Sequence, residues 1–86
     1  MTYRLEFTRA AIKQLNALPQ NVQNRIQAKL ATLVTDPCPS GVVKMQGETD
    51  IYRIRIGDYR ALYTTQDDVL IVLVLKIGHR REVYRS

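Results

Sequence analysis

The sequence predicts an α+β fold: an N-terminal strand, a helical hairpin, then an antiparallel sheet of three to four strands. Three observations carry this. Tyr3-Arg4-Leu5-Glu6-Phe7 alternates large apolar with charged side chains, the period of a half-buried strand. Ala11, Leu15 and Leu18, then Val22, Ile26, Leu30, Leu33 and Val34, recur at helical spacing. From Ile51 onward, two alternating runs and one unbroken apolar run, Val69–Leu75, are separated by turn residues.

The first strand points Tyr3, Leu5 and Phe7 at the core. Thr8 offers an N-cap hydroxyl to the first helix, which stops before Pro19 because the residue before a proline is disfavoured in the α region. A second helix begins near Pro19–Asn21 and runs to about 35, with Gln23, Arg25, Gln27 and Lys29 mostly on its wet side. Thr35-Asp36-Pro37-Cys38-Pro39-Ser40-Gly41 is a loop, and Val42–Gly47 holds a short extended piece that carries Lys44 across the sheet.

Ile51–Ile56 is a strand with Tyr52, Ile54 and Ile56 on one face and Ile51, Arg53 and Arg55 on the other. Gly57-Asp58 is a two-residue hairpin turn into Tyr59–Thr65. Gln66-Asp67-Asp68 turns the chain again. The run Val69–Leu75, rich in Val and Ile, reads as a central strand buried on both faces and ending at Gly78. Residues 82–85 can add a short last strand. The first strand has no sequence neighbour to pair with, so it adds at an edge or beside the last long strand.

The 86 residues predict one domain, 1–86. A chain this short buries roughly 60–65% of its extended surface, so its core is thin. A count of 13 Lys+Arg against 8 Asp+Glu leaves a net charge of +5, which points toward nucleic acid or an acidic protein partner. One cysteine and one histidine exclude an intramolecular disulfide and a Cys/His metal set, and no metal or cofactor is expected. The start of the chain lacks the apolar core of a signal peptide, and no run approaches the ~20 apolar residues of a membrane helix. A cytoplasmic protein with no membrane partner is expected.

The cations are not scattered. Arg53 and Arg55 leave one face of a strand about 7 Å apart, from a rise of ~3.3 Å per residue. Arg60 lies across the hairpin turn, and His79, Arg80, Arg81 and Tyr84 follow the end of the next strand. No acidic cluster offers a two-metal site, no glycine-rich loop cradles phosphates, and no Ser or Cys has a recognisable base. A metal-free route to RNA cleavage remains, in which the 2′-hydroxyl attacks the adjacent phosphate. It needs cations around the developing phosphorane, a proton acceptor, and a proton donor for the leaving 5′-oxygen. Arginine suits the first task; tyrosine can stack on a base or pass a proton.

Two segments, IYRIRIGDYRALY (Ile51–Tyr63) and IGHRREVYR (Ile77–Arg85), together with the order of elements, resemble the RelE family of the RelE/ParE toxin superfamily. The resemblance spans essentially the whole chain. It implies a RelE-like, microbial-ribonuclease-type fold and a toxin that cleaves messenger RNA, typically in the ribosomal decoding site. It also implies a RelB-type antitoxin that wraps and blocks the toxin, the complex binding its operator DNA through the antitoxin. Carried over by position, Arg53 and Arg55 match basic strand residues that are commonly lysines. Arg60 matches a phosphate-binding arginine, Arg80 the arginine after the glycine turn, Tyr84 the base-stacking tyrosine, and Lys44 a basic loop position. Lys44, Arg53, Arg55 and Arg81 are the expected RNA-binding set.

The departure at the strand positions has a chemical consequence. A lysine can lose its proton, whereas an arginine does not under ordinary conditions. His79, a side-chain type that changes charge nearest neutral pH, is therefore expected to share the acid–base work with Arg53, Arg55, Arg60, Arg80 and Tyr84 as the catalytic set. Two other readings stand beside this one: a ParE-like gyrase inhibitor and a non-catalytic module that binds RNA or the ribosome.

Overall fold

The structure, a computed structural model, describes residues 2–37, 43–44 and 51–79. The chain runs β1 (Arg4–Phe7), α1 (Arg9–Asn16), α2 (Gln20–Ala31), a 3₁₀ turn (Thr32–Val34), β2 (Val43–Lys44), β3 (Ile51–Ile56), β4 (Tyr59–Gln66) and β5 (Ile71–His79). The strands form one sheet in the order β1-β5-β4-β3-β2. The four strands after the helices are antiparallel neighbours, as expected. The N-terminal strand lies at the edge beside β5, and it pairs there in parallel.

Local chemistry sets the elements. Thr8 caps α1: its Oγ1 accepts from Ala11 N (3.1 Å) and its hydroxyl donates to Leu75 O (2.9 Å). One side chain thus closes a helix end and pins it to β5. Pro19 stands at the N-cap of α2, where its missing N–H costs no hydrogen bond. The β3–β4 turn needs a left-handed residue, and Gly57 supplies it with φ +60°.

Both helices lie on one face of the sheet, with α1 against β5 and α2 against β3. The core between them holds Ala11, Leu15, Ile26, Leu30 and Leu33 from the helical side and Ile54, Ile56, Ala61, Tyr63, Val72, Val74 and Ile77 from the strands. Tyr63 is its largest fully buried side chain. Its ring stacks on Tyr52, with centroids 5.5 Å apart, and its hydroxyl donates to Pro37 O (2.5 Å). Beyond the end of β1, Gln14 Oε1 accepts from Ile77 N (2.7 Å) and so satisfies an edge amide of β5.

Three expectations are corrected. The last strand begins at Ile71, not Val69. Val69 N donates to Gln66 O, closing a turn, and Leu70 sits at φ 54° with its carbonyl accepting from Arg4 N. Val69 is 56% exposed as a result. The strand extends through Gly78 to His79. Nor is β5 buried on both faces: Val72, Val74 and Ile77 are buried, while Ile71, Leu73 and Leu75 are only partly so, because both helices lie on the same side of the sheet. The proposed strand at 82–85 lies outside the described residues.

A bulge decides what β5 presents. Tyr63 is registered with Val74, but Leu62 is registered with Lys76, so Leu75 is an extra residue. Strict alternation after Val72 and Val74 would aim Lys76 at the core. The extra residue resets the phase, turning Ile77 inward and placing Lys76 and Gly78 on the opposite face.

Candidate functional site

The face of the sheet away from the helices carries the basic set. Arg55 is directly opposite Arg60 in the β3–β4 ladder, and Arg53 is opposite Leu62. Continuing across β5, Arg60 is opposite Gly78 and Leu62 is opposite Lys76. Two rows result, Arg53-Leu62-Lys76 and Arg55-Arg60-Gly78, on adjacent strands about 5 Å apart. Gly78, opposite Arg60, adds no side chain to this row. Leu62, between Arg53 and Lys76 in register, is only 8% exposed although it lies on this face.

The environments of the three arginines differ. Arg53 and Arg60 are partly buried, with the Nε of Arg60 buried; Arg55 is exposed. Arg55 Nε donates to Gly57 O at 3.2 Å, which tethers its guanidinium to the hairpin turn. The register thus sets two guanidiniums directly opposite each other on this face.

The sequence-predicted residues divide into three groups. Arg53, Arg55 and Arg60 are brought together on the face away from the helices. His79 is not with them by register: it is opposite Tyr59, on the helix side, and meets that ring edge-on at 5.8 Å and 77°. It lines a cleft of about 300 Å³ with Gln14, Ala17 and Leu18 of the α1 end. Lys44 lies in β2 with its backbone registered against Tyr52. Arg80, Arg81 and Tyr84 lie outside the described residues.

Lys76 is a residue that the sequence reading missed. By register it falls on the face away from the helices, beside Leu62 and diagonal to Arg60, and it also borders the cleft that His79 lines. A signal existed: by simple alternation a lysine fell at a core position, and such a conflict is itself evidence of a bulge.

Comparison with known proteins bears on the whole of this arrangement. Residues 5–84 match the family model of the ParE toxin of type II toxin–antitoxin system, parDE. The putative toxin RelE1 of Methanocaldococcus jannaschii is 28% identical over 89 residues, covering 100% of this chain and 99% of its own. The mRNA interferase toxin RelE of Escherichia coli is 31% identical over 88 residues, covering 98% of this chain and 92% of its own. Among solved structures, the intact E. coli RelBE toxin–antitoxin complex contains a chain that superposes with a TM-score of 0.80 at 28% identity, covering 90% of this chain and 95% of that one.

Proposed function

The chain belongs to the RelE family of the RelE/ParE toxins of type II toxin–antitoxin systems, and from that membership we propose that it is an endoribonuclease that cuts messenger RNA on the ribosome and thereby stops translation. The observation that carries the reading is the convergence of Arg53, Arg55 and Arg60 on the sheet face away from the helices. A relative over nearly the whole chain length bears the name mRNA interferase toxin.

The chemistry is 2′-hydroxyl attack on the adjacent phosphate. The 2′-oxygen forms a bond to phosphorus, the P–O5′ bond breaks, and the products are a 2′,3′-cyclic phosphate and a 5′-hydroxyl. Arg60, partly buried and held between Arg55 and Gly78, is assigned to the non-bridging phosphate oxygens. Arg53 and Arg55 share the charge that grows on the phosphorane. Arg80 adds to that charge set, Tyr84 stacks on a base, and Lys44 and Arg81 guide the strand. The acid–base share assigned to His79 requires the RNA to pass over Gly78 to the end of β5, since the imidazole is registered on the other face.

The partners of this reading are messenger RNA, the ribosome and a RelB-type antitoxin, as in the E. coli complex. The toxin–antitoxin complex binds its operator through the antitoxin, and the working compartment is the cytoplasm. Primer extension on messenger RNA after induction tests the cleavage. Wild type is expected to leave discrete new 5′ ends and Arg60→Ala none; ends of equal strength in both would refute the assignment.

One finding favours a second reading, because the matching family model is that of ParE. A ParE-like gyrase inhibitor would arrest replication while messenger RNA stayed intact after induction.

A further inference from the structure

The two helices carry Arg9, Lys13, Arg25 and Lys29, and no Asp or Glu occurs anywhere between Glu6 and Asp36. Exposed helix surfaces usually interleave carboxylates, which pair with cations four residues away. Here Arg25 and Lys29 stand four apart on α2, both exposed. Among the described residues neither makes an ion pair, and neither does Arg55. The nearest carboxylate in sequence to this group, Asp58, is exposed and pairs with none of the three.

The fold gathers these cations. Among the described residues β2 is registered with Tyr52 and Arg53, in the first half of β3. Nearer the hairpin turn, Arg25 and Lys29 of α2 meet Arg55 and Gly57 around an open hollow of about 460 Å³. Two guanidiniums bracket the turn glycine. Arg25 Nη2 lies 2.8 Å from where a Cβ on Gly57 would be, and Arg55 Nε bonds the Gly57 carbonyl. The glycine thus serves twice: it takes the left-handed backbone of the turn, and its bare Cα lets Arg25 close on the strand.

We propose that this hollow binds a phosphate of single-stranded RNA. It is a second anion site, and it continues the Arg53–Arg55–Arg60 face round the end of β3 onto α2. The inference rests on the RNA reading above and adds to it a path for the strand away from the cut. The convergence of cations without a carboxylate calls for an anion, since the like charges repel until one arrives. Phosphate suits the two guanidiniums, whose planar donor forks match its oxygens. The shared residue decides between RNA and an acidic peptide. Arg55 lines the hollow and also stands opposite Arg60. A chain of regularly spaced phosphates engages both places at once.

The test uses a fluorescent single-stranded RNA with 2′-O-methyl groups, which cannot be cut by 2′-hydroxyl attack. Its binding to the purified protein is read by anisotropy across a salt series. Arg25→Ala/Lys29→Ala is expected to weaken binding about three- to tenfold and to flatten the plot of log K against log salt by about 0.7, the loss of one single-strand phosphate contact. Arg9→Ala/Lys13→Ala removes the same charge at the same spacing from α1, and is expected to leave affinity and slope unchanged. Circular dichroism and melting confirm that both variants fold.

Three outcomes overturn the proposal. Affinity and slope can stay unchanged in Arg25→Ala/Lys29→Ala. The two double variants can fall equally, which is a net-charge effect. Or the α2 variant can lose an acidic antitoxin peptide while holding RNA undiminished. Because this RNA cannot be cut, the result is separate from cleavage. An unchanged slope removes the hollow and leaves the nuclease, whereas undiminished cutting by Arg60→Ala removes the nuclease assignment and leaves the hollow.

Discussion

The two faces of the sheet are made by the same strands and obey opposite rules. On the helix side Ile54, Ile56, Ala61, Tyr63, Val72, Val74 and Ile77 are buried against α1 and α2. On the other side Arg53, Arg55, Arg60 and Lys76 stand on registered positions of three neighbouring strands. Alternation along each strand lets neighbouring residues serve the two ends separately. The difference teaches that residues holding the fold and residues of the proposed site can change separately. The inner face is where truncation breaks the fold. The outer face is where the cations of the proposed RNA site stand.

Truncations at the extremes test that division. Tyr63→Ala empties the largest buried side chain of the inner face, and a loss of about 3–5 kcal/mol is expected. That is a large part of the 5–15 kcal/mol typical of a domain. Urea unfolding measures it; a loss below about 1 kcal/mol would show that the core is not where the fold is held. Arg60→Ala is the counterpart on the outer face. We expect cleavage to fall about 10²–10³-fold, the effect of removing one preorganised charge donor, with the urea midpoint moving far less than in Tyr63→Ala. A parallel drop in stability and cleavage would break that separation.

Smaller effects sharpen the boundary between the faces. Thr8→Ala removes both the α1 cap and the bond to Leu75 O, and should cost about 1–2 kcal/mol in the same unfolding experiment. Thr8→Ser should recover most of that. Tyr63→Phe keeps the ring and loses the bond to Pro37 O; about 1 kcal/mol is expected. Smallest of all is Glu6→Gln. It breaks the exposed Arg4–Glu6 ion pair, whose side chains are 73% and 43% exposed, and should shift stability by less than about 0.5 kcal/mol.

The inner face was largely legible in the sequence because it rests on local periods. Leu15 on α1, Ile26 and Leu30 on α2, and Ile54 and Ile56 on β3 all appeared from spacing, and each is buried. Thr8 as a cap and Gly57-Asp58 as a turn followed from side-chain chemistry that acts within four residues. A two-residue turn sets the register of the hairpin it closes, so the turn at Gly57-Asp58 already implies that Arg60 stands across from Arg55.

What the sequence determined by itself, then, was the set of elements, the facing of residues within each, and the hairpin that aligns Arg55 with Arg60. Only the tertiary structure decided how distant elements meet. The parallel pairing of β1 with β5 joins residues more than sixty positions apart, and no local period encodes it. Leu75 is a bulge only with respect to β4, so the outward phase of Lys76 and the helix-side position of His79 depend on a partner strand. Arg25 and Lys29 read as the wet side of a helix by period alone, and packing sets that side beside Arg55 and Gly57 at the end of β3. Periodicity is a property of one segment, whereas register and juxtaposition are properties of pairs. Here the pairs turn scattered cations into a surface.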